Sequence, residues 1–339
     1  MILLDSLYIN KSGGEVLLDY LVKNIEKEEI DCFYLFDIRG IDCFDYIPEN
    51  RKIYLKASIF NRYKFYKKNI NKFEKVICFA NLPPFSSINR QVYTYFHQPM
   101  FLSVPAEFSF IKKISFMLKT FLLGAIIDNT NYWLVQSDHI KVKLQSKFNI
   151  SPEKIEIIPF FPSFNTITNI TRRKHTYIYV STASPHKNHI RLIAAFCKFY
   201  DKYKIGELIL TISDDYKKII RLINLKNDMG YPIKNIGYVT RENLVEFYQS
   251  SEFSIYPSLA ESFGLGIVEA IENGCNIIGA DLPYTYSICK PSIIFNPSDV
   301  NSIFLALENS ININININIK PTEQFVQNEI AGIIEILKN

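Results

Sequence analysis

Staples, metal sites and membrane spans leave little trace in this 339-residue chain. Six cysteines, Cys32, Cys43, Cys78, Cys197, Cys275 and Cys289, are scattered without a C-x-x-C pair. That spacing excludes the usual zinc and dithiol motifs and is met most simply by reduced thiols in a cytoplasmic protein. No two aspartates have D-x-D spacing, so no divalent metal and no cofactor is expected. No G-x-G-x-x-G is present either, which removes support for a Rossmann dinucleotide site. The longest apolar run, residues 117–127, contains Lys119 and is too short to span a bilayer. The opening Met1-Ile2-Leu3-Leu4-Asp5 has no basic flank and reads as a first strand rather than a signal peptide. Nucleic-acid modules are missing as well: there is no zinc-finger spacing, RRM signature or clear helix-turn-helix.

What the chain does have is ample apolar content, 48% by the A/V/I/L/M/F/W/Y/C count, enough for two cores of ordinary size. Strand and helix patterns alternate throughout, which points to α/β architecture with parallel sheets covered on both faces. Strands are expected over residues 2–9, 32–37, 75–80, 91–96 and 132–136, with amphipathic helices over 15–28 and 138–148. The second half repeats the pattern: strands over 176–181, 207–212 and 235–239, helices over 189–203, 216–225 and 241–250. The polar stretch 165–174 reads as a linker. A strict Ile-Asn alternation over 311–319 has the period of a strand, yet asparagine disfavours strands. It is taken as a variable connection into a last helix over 323–337.

The net charge of +4 is unevenly spread. Residues 51–75 carry Arg51, Lys52, Lys56, Arg62, Lys64, Lys67, Lys68, Lys72 and Lys75, interleaved with Tyr54, Phe60, Tyr63, Phe65, Tyr66 and Phe73. On a helix this mixture suits an anionic membrane surface, to which 108–119 would add. It equally suits a solvated lysine face with rings turned inward. A nucleic-acid backbone would also accept it, but nothing marks a nucleic-acid module.

The densest chemistry lies in residues 256–270, Y-P-S-L-A-E-S-F-G-L-G-I-V-E-A. A strand over 253–257, stopped by Pro257, runs into the turn Phe263-Gly264-Leu265-Gly266, which opens a helix. Free N–H groups at a helix start can dock an anion. Glu261 and Glu269 flank that turn and can accept hydrogen bonds from sugar or ribose hydroxyls. The plain alternative is a glycine before a helix and an acid in its first turn, both ordinary features. Elsewhere, Ser12-Gly13-Gly14 follows the first strand and gives the backbone room to approach a ligand. Lys187 follows the strand at 177–181 and stands at the start of a helix, suited to a pyrophosphate. His97 ends the strand at 91–96.

This set resembles the family-4 retaining glycosyltransferases (glycosyl transferases group 1). Residues 256–270 are similar to their E-x7-E motif, 184–188 (S-P-H-K-N) to their lysine-bearing phosphate loop, and 236–244 to the G-x-V-x-x-x-x-L element. Residues 155–159 and 294–299 resemble the strands that end the first and close the second domain. The resemblance implies a GT-B fold: two doubly wound Rossmann-like domains facing across a cleft. Residues 1–165 would bind the acceptor and 166–320 the nucleotide sugar, while a terminal helix in 321–339 can cross back to the first domain. It implies transfer of a sugar, with retention, from a nucleotide diphosphate donor to a saccharide or lipid-linked saccharide in surface polysaccharide synthesis. Glu261, Lys187 and His97 would be catalytic. Gly13, Gly14, Lys187, Glu261, Phe263, Gly264, Leu265 and Glu269 would bind the donor. The departing phosphate would take the acceptor's proton, so no metal is implied. Peripheral contact with the inner face of the cell membrane is the expected location. One departure stands out: the family's arginine five residues before the lysine is Thr182 here. That gap keeps open a catalytically silent GT-B protein that binds sugar nucleotides or scaffolds other enzymes.

Overall fold

The computed structural model describes residues 1–9, 13–40, 43–164, 170–311 and 320–339. Ser12, residues 165–169 of the expected linker and residues 312–319 of the Ile-Asn run lie outside them. The chain divides into two compact units. Unit 1 comprises 1–104, 109–162 and 327–339, and unit 2 comprises 105–108 and 163–326.

Unit 1 holds strands β1 (Ile2–Asp5), β2 (Cys32–Asp37), β3 (Lys52–Leu55), β4 (Lys75–Cys78), β5 (Gln91–Phe96), β6 (Tyr132–Val135) and β7 (Ile155–Ile157). They form a parallel sheet in the order β3-β2-β1-β4-β5-β6-β7. Helices α1 (Gly13–Lys27), α2 (Ile59–Asn69), α3 (Phe110–Ala125) and α4 (Asp138–Phe148) connect the strands. Unit 2 holds β8 (Arg173–Tyr179), β9 (Glu207–Leu210), β10 (Ile233–Asn235), β11 (Ser251–Tyr256), β12 (Asn276–Ala280), β13 (Cys289–Lys290), β14 (Ile293–Phe295) and β15 (Glu323–Gln324). Six of these form a second parallel sheet, β10-β9-β8-β11-β12-β14, and β13 pairs with β15 antiparallel. Its helices are α5 (His189–Tyr203), α6 (Lys217–Asp228), α7 (Arg241–Ser250), α8 (Leu265–Glu272), α9 (Pro283–Tyr286) and α10 (Val300–Ile311). Helix α11 (Ile330–Lys338) belongs to unit 1, where Lys338 pairs with Glu28 at 2.7 Å and Asn328 donates to the Tyr20 hydroxyl.

Strands such as β1 and β4 are buried on every residue, as they must be when helices cover both faces of a parallel sheet. In each sheet the strand order reverses once, between β1 and β4 in unit 1 and between β8 and β11 in unit 2. At such a reversal the loops leaving the carboxyl ends splay apart and leave a crevice.

Three expectations are corrected. Residues 51–75 are not one basic helix: β3 and β4 take its ends, and Lys52 and Lys75 are buried. Lys52 can sit there because its ammonium meets the Phe44 carbonyl and Glu49. The last helix begins at Ile330, because Gln324 pairs with Cys289 and the Phe325 N–H bonds Ile288. The strand near 235–239 runs over Ile233–Asn235 instead, and Gly237 with φ +70° turns the chain beyond it.

Arg62, another member of that basic run, is 2% exposed. Its Nε donates to Asp5 Oδ2 at 2.7 Å, its two amino groups reach the Leu82 and Pro83 carbonyls, and Tyr66 donates to the same carboxylate. The pair fixes the carboxyl end of β1 against α2. Removing one member of a buried pair strands the other, so Arg62→Met should cost about 3–5 kcal/mol in urea unfolding. A loss under about 1 kcal/mol would mean that Asp5 has another way to be satisfied.

Candidate active site

The reversal point of unit 2 gathers the sequence's most reactive residues. β8 ends at Tyr179 and leads into the loop that carries Lys187, while β11 ends at Tyr256 and leads into the loop that carries Glu261. Lys187 Nζ and Glu261 Oε1 lie 2.5 Å apart, both about one-seventh exposed. The pair is a direct charge-assisted contact across two loops that are 74 residues apart in sequence.

These loops are tied together by groups other than the pair itself. Tyr179 OH donates to the Lys187 carbonyl at 3.0 Å and lies 2.7 Å from Ser258 Oγ. The Leu259 N–H bonds the His186 carbonyl at 2.8 Å. Buried Asn188, left-handed at φ +64°, donates from Nδ2 to the Pro257 and Pro297 carbonyls. One side chain thus joins the three segments 184–188, 256–258 and 294–299 that the sequence presents separately. Burial, and then the Glu261 charge, push the phenols of Tyr179, Tyr256 and Tyr284 upward, so all three remain neutral around the carboxylate.

Helix α8 starts on Gly264, whose φ of +85° is left-handed. That conformation favours glycine, and a Cβ there would also crowd the Ile288 side chain at 3.1 Å. Leu265 and Gly266 form the first turn, and a Cβ on Gly266 would sit 3.2 Å from the Tyr256 ring. Phe263 is buried, so only its backbone could meet a ligand.

Glu269 does not join Lys187 in any direct contact. It is 6% exposed, takes a hydrogen bond from Arg241 Nε at 3.0 Å and a longer one from Tyr248 OH at 3.4 Å. The Arg241 guanidinium in turn lies 3.7 Å from the centre of the Phe164 ring. Burial raises the Glu269 pKa, against the pull of Arg241 and Tyr248. Thr182, where the family pattern has arginine, leaves Lys187 as the cation paired with Glu261.

In unit 1, Gly14 and His97 adjoin: a Cβ on Gly14 would lie 3.5 Å from His97 Nε2. Asn81 Oδ1 accepts from the His97 backbone N–H at 2.6 Å, and its amide stands 3.5 Å from Nε2. Burial lowers the imidazole to about 4, so it is neutral near pH 7. Gly13 is exposed with nothing crowding its Cβ position.

Arg241, Tyr179, Tyr248 and Asn188 were not singled out as site residues in the sequence. Asn188 and Arg241 sit inside or beside recognised motifs, and that proximity is the only local signal. Tyr179 and Tyr248 look like any core tyrosine.

A family model described as glycosyl transferases group 1 matches residues 162–309. The matched segment contains Lys187, Arg241, Glu261 and Glu269. Among curated relatives, the chain is 23% identical over 202 residues to the O-antigen chain mannosyltransferase RfbU of Salmonella typhimurium. That match covers 59% of this chain and 56% of the relative. Among solved structures, sucrose-phosphate synthase from Thermosynechococcus elongatus superposes with TM-score 0.73 at 16% identity. The superposition covers 91% of this chain and 89% of that one. HepE of Anabaena, in complex with UDP and glucose, gives TM-score 0.68 at 13% identity over 92% and 90%. The fold is GT-B, built of two Rossmann-like sheets.

The burial of Glu269 yields a signed prediction. The folded state holds its proton more tightly than the unfolded chain, so its ionisation lowers stability as pH rises above the ordinary carboxylate range. Glu269→Gln keeps an acceptor for Arg241 and removes that liability. Its melting temperature relative to wild type should climb between about pH 4 and about pH 7. A relative melting temperature that falls over this interval would contradict the assignment.

Proposed function

We propose that the protein is a retaining glycosyltransferase that moves a sugar from a nucleotide diphosphate donor to a saccharide or lipid-linked saccharide. The reading is carried by one observation: an ammonium and a carboxylate in contact at the reversal point of unit 2, beside a glycine-started helix. The group 1 match over these residues and a relative named as an O-antigen mannosyltransferase support a role in surface polysaccharide synthesis. The chain spans 56% of that relative's length, so donor, acceptor and pathway are all part of the proposal.

In this mechanism the bond between the sugar's anomeric carbon and the donor's β-phosphate oxygen breaks, and its electrons leave with the nucleotide diphosphate. Lys187 leaves Glu261 for that phosphate and stabilises the charge as it develops. N–H groups of the Phe263-Gly264-Leu265 turn bind phosphate or sugar oxygens. Freed Glu261 accepts from hydroxyls of the transferred sugar, and Glu269 from the ribose. The acceptor hydroxyl attacks the same face that the phosphate leaves, giving retention, and its proton passes to the departing phosphate oxygen. Lys187 carries the positive charge that a metal would otherwise supply. Gly13 and Gly14 are assigned to donor binding, and neutral His97 to catalysis. Partner and location complete the proposal: an anionic surface at the inner face of the cell membrane, met by residues 51–75 and 108–119.

The alternative, a silent sugar-nucleotide binder, is favoured only by Thr182. A panel of UDP-, GDP- and ADP-sugars with a lipid-pyrophosphate acceptor separates the two. One donor should turn over, and Lys187→Ala should lower kcat/KM by about 10²–10³-fold. Glu269→Ala should raise donor KM more than it lowers kcat. Binding without turnover for every donor selects the silent reading, and activity indifferent to both substitutions removes the enzyme reading.

A further inference from the structure

Just beyond the carboxyl end of β4, Asn81 of unit 1 uses its side chain as if it were backbone. Its N–H donates to the Tyr95 carbonyl at 3.3 Å, continuing the pairing of β4 with β5. Its φ of +68° is left-handed, which asparagine tolerates better than most residues. The next acceptor in the row is then its side chain: Oδ1 takes the His97 N–H at 2.6 Å.

That bond settles which way the amide is turned. A backbone N–H can meet only an acceptor, so the Asn81 oxygen faces the His97 N–H. The amide nitrogen is left facing the imidazole, with Nδ2 3.5 Å from Nε2. Nδ2 can only donate. A neutral imidazole carries its single proton on one ring nitrogen, and a proton on Nε2 would set two donors against each other. Nδ1 is buried and meets no hydrogen-bonding partner among the described residues, so the choice of tautomer falls to Asn81. The ring is neutral, since burial lowers it to about 4. The rings packed on it are Phe79 and Tyr95, and burial keeps the Tyr95 phenol protonated.

Nε2 is also the nitrogen turned toward the Gly13-Gly14 turn. A Cβ on Gly14 would stand 3.5 Å from it, and glycine keeps a side chain off its lone pair. At 3.5 Å the Asn81 amide engages that lone pair only loosely and leaves it open to a closer donor.

We propose that Asn81 is a positioning residue: it holds the His97 proton on Nδ1, so that Nε2 offers a bare lone pair beside Gly14 and accepts a hydrogen bond from a ligand hydroxyl. This chemistry selects an alcohol over an anion. A carboxylate or pyrophosphate oxygen is an acceptor only near pH 7 and would meet the lone pair with one of its own, whereas a sugar hydroxyl donates. The nature of the ligand rests on the transferase reading; the tautomer does not.

The test is nitrogen NMR of the imidazole rings in the full-length, substrate-free protein, with His97→Gln to assign one signal among the five histidines. A bare ring nitrogen resonates far downfield of a protonated one, so the tautomer is read directly. Wild type at pH 7 should show Nδ1 protonated and Nε2 bare. Asn81→Asp keeps an oxygen for the His97 N–H and sets a second one, an acceptor, against Nε2. Its proton should move to Nε2, and the ring should titrate at least about one pH unit higher. Asn81→Gly, which suits the left-handed φ, removes both contacts and should give a mixture of tautomers. A purely structural Asn81 would leave the ring nitrogens unchanged. A wild-type proton on Nε2, or the wild-type tautomer persisting in both variants, overturns the proposal. With the panel of UDP-, GDP- and ADP-sugars, Asn81→Asp should lower kcat/KM by about tenfold or more for the sugar that turns over. An unchanged kcat/KM once the proton has moved overturns the hydroxyl contact. Because the tautomer is read on the free protein, failure of this inference and failure of the transferase reading are told apart.

Discussion

The contact between Lys187 and Glu261 depends on two loops that leave neighbouring parallel strands where the strand order reverses. Strand order alone opens a crevice there and says nothing about its chemistry. Chemistry enters because Tyr179, Asn188 and Ser258 bind the two loops to one another through hydroxyl, amide and carbonyl groups. The charged side chains therefore approach without having to hold the loops together. A pair so supported can open for an anionic ligand without unravelling its own scaffold. In the proposed mechanism, that separation of framework from charge lets Lys187 serve the donor phosphate rather than tie the loops together.

The second carboxylate follows a different logic. Glu269 is buried deeply enough that burial works against its ionised form, and Arg241, steadied on Phe164, opposes that cost. Between them the acids divide the site: Glu261 stands in an ion pair at the crevice, and Glu269 is locked into position by a fixed guanidinium. The left-handed Gly264 sets the direction in which α8 departs. In the proposed mechanism the site is thus made of one cation that is released, one acid that releases it and one acid held in place.

Much of this was legible in the sequence where local pattern and tertiary demand agree. Helices α4, α5 and α7 begin and end where their amphipathic runs do, α4 with a Ser137 cap and the left-handed Asn149 as stops. Strands β2 and β5 likewise match their apolar runs. Strand β3 was hidden because Lys52 and Arg51 made a short half-buried strand look like the start of a basic helix. The last helix was drawn too long because nothing local in residues 323–329 announces pairing with β13. At the site, motif residues such as Lys187 and Glu261 could be named from sequence. The partnership of Arg241 with Glu269, 28 residues away, depends on how α7 and α8 pack, and no spacing encodes it. Residues 108–119, which run into α3, were read as a membrane-facing segment, but periodicity tells that a helix is two-sided and not which side meets the core.

The central claim is that Lys187 abandons Glu261 for the phosphates of a nucleotide. Calorimetric titration can read this directly as the affinity advantage of the best-bound nucleoside diphosphate over its own nucleoside, in wild type and in Lys187→Ala. If the claim holds, the diphosphate's advantage collapses by about tenfold or more in the variant while nucleoside affinity stays near wild type. An advantage of the same size in both proteins would contradict it, since the phosphates would then be held by something other than Lys187.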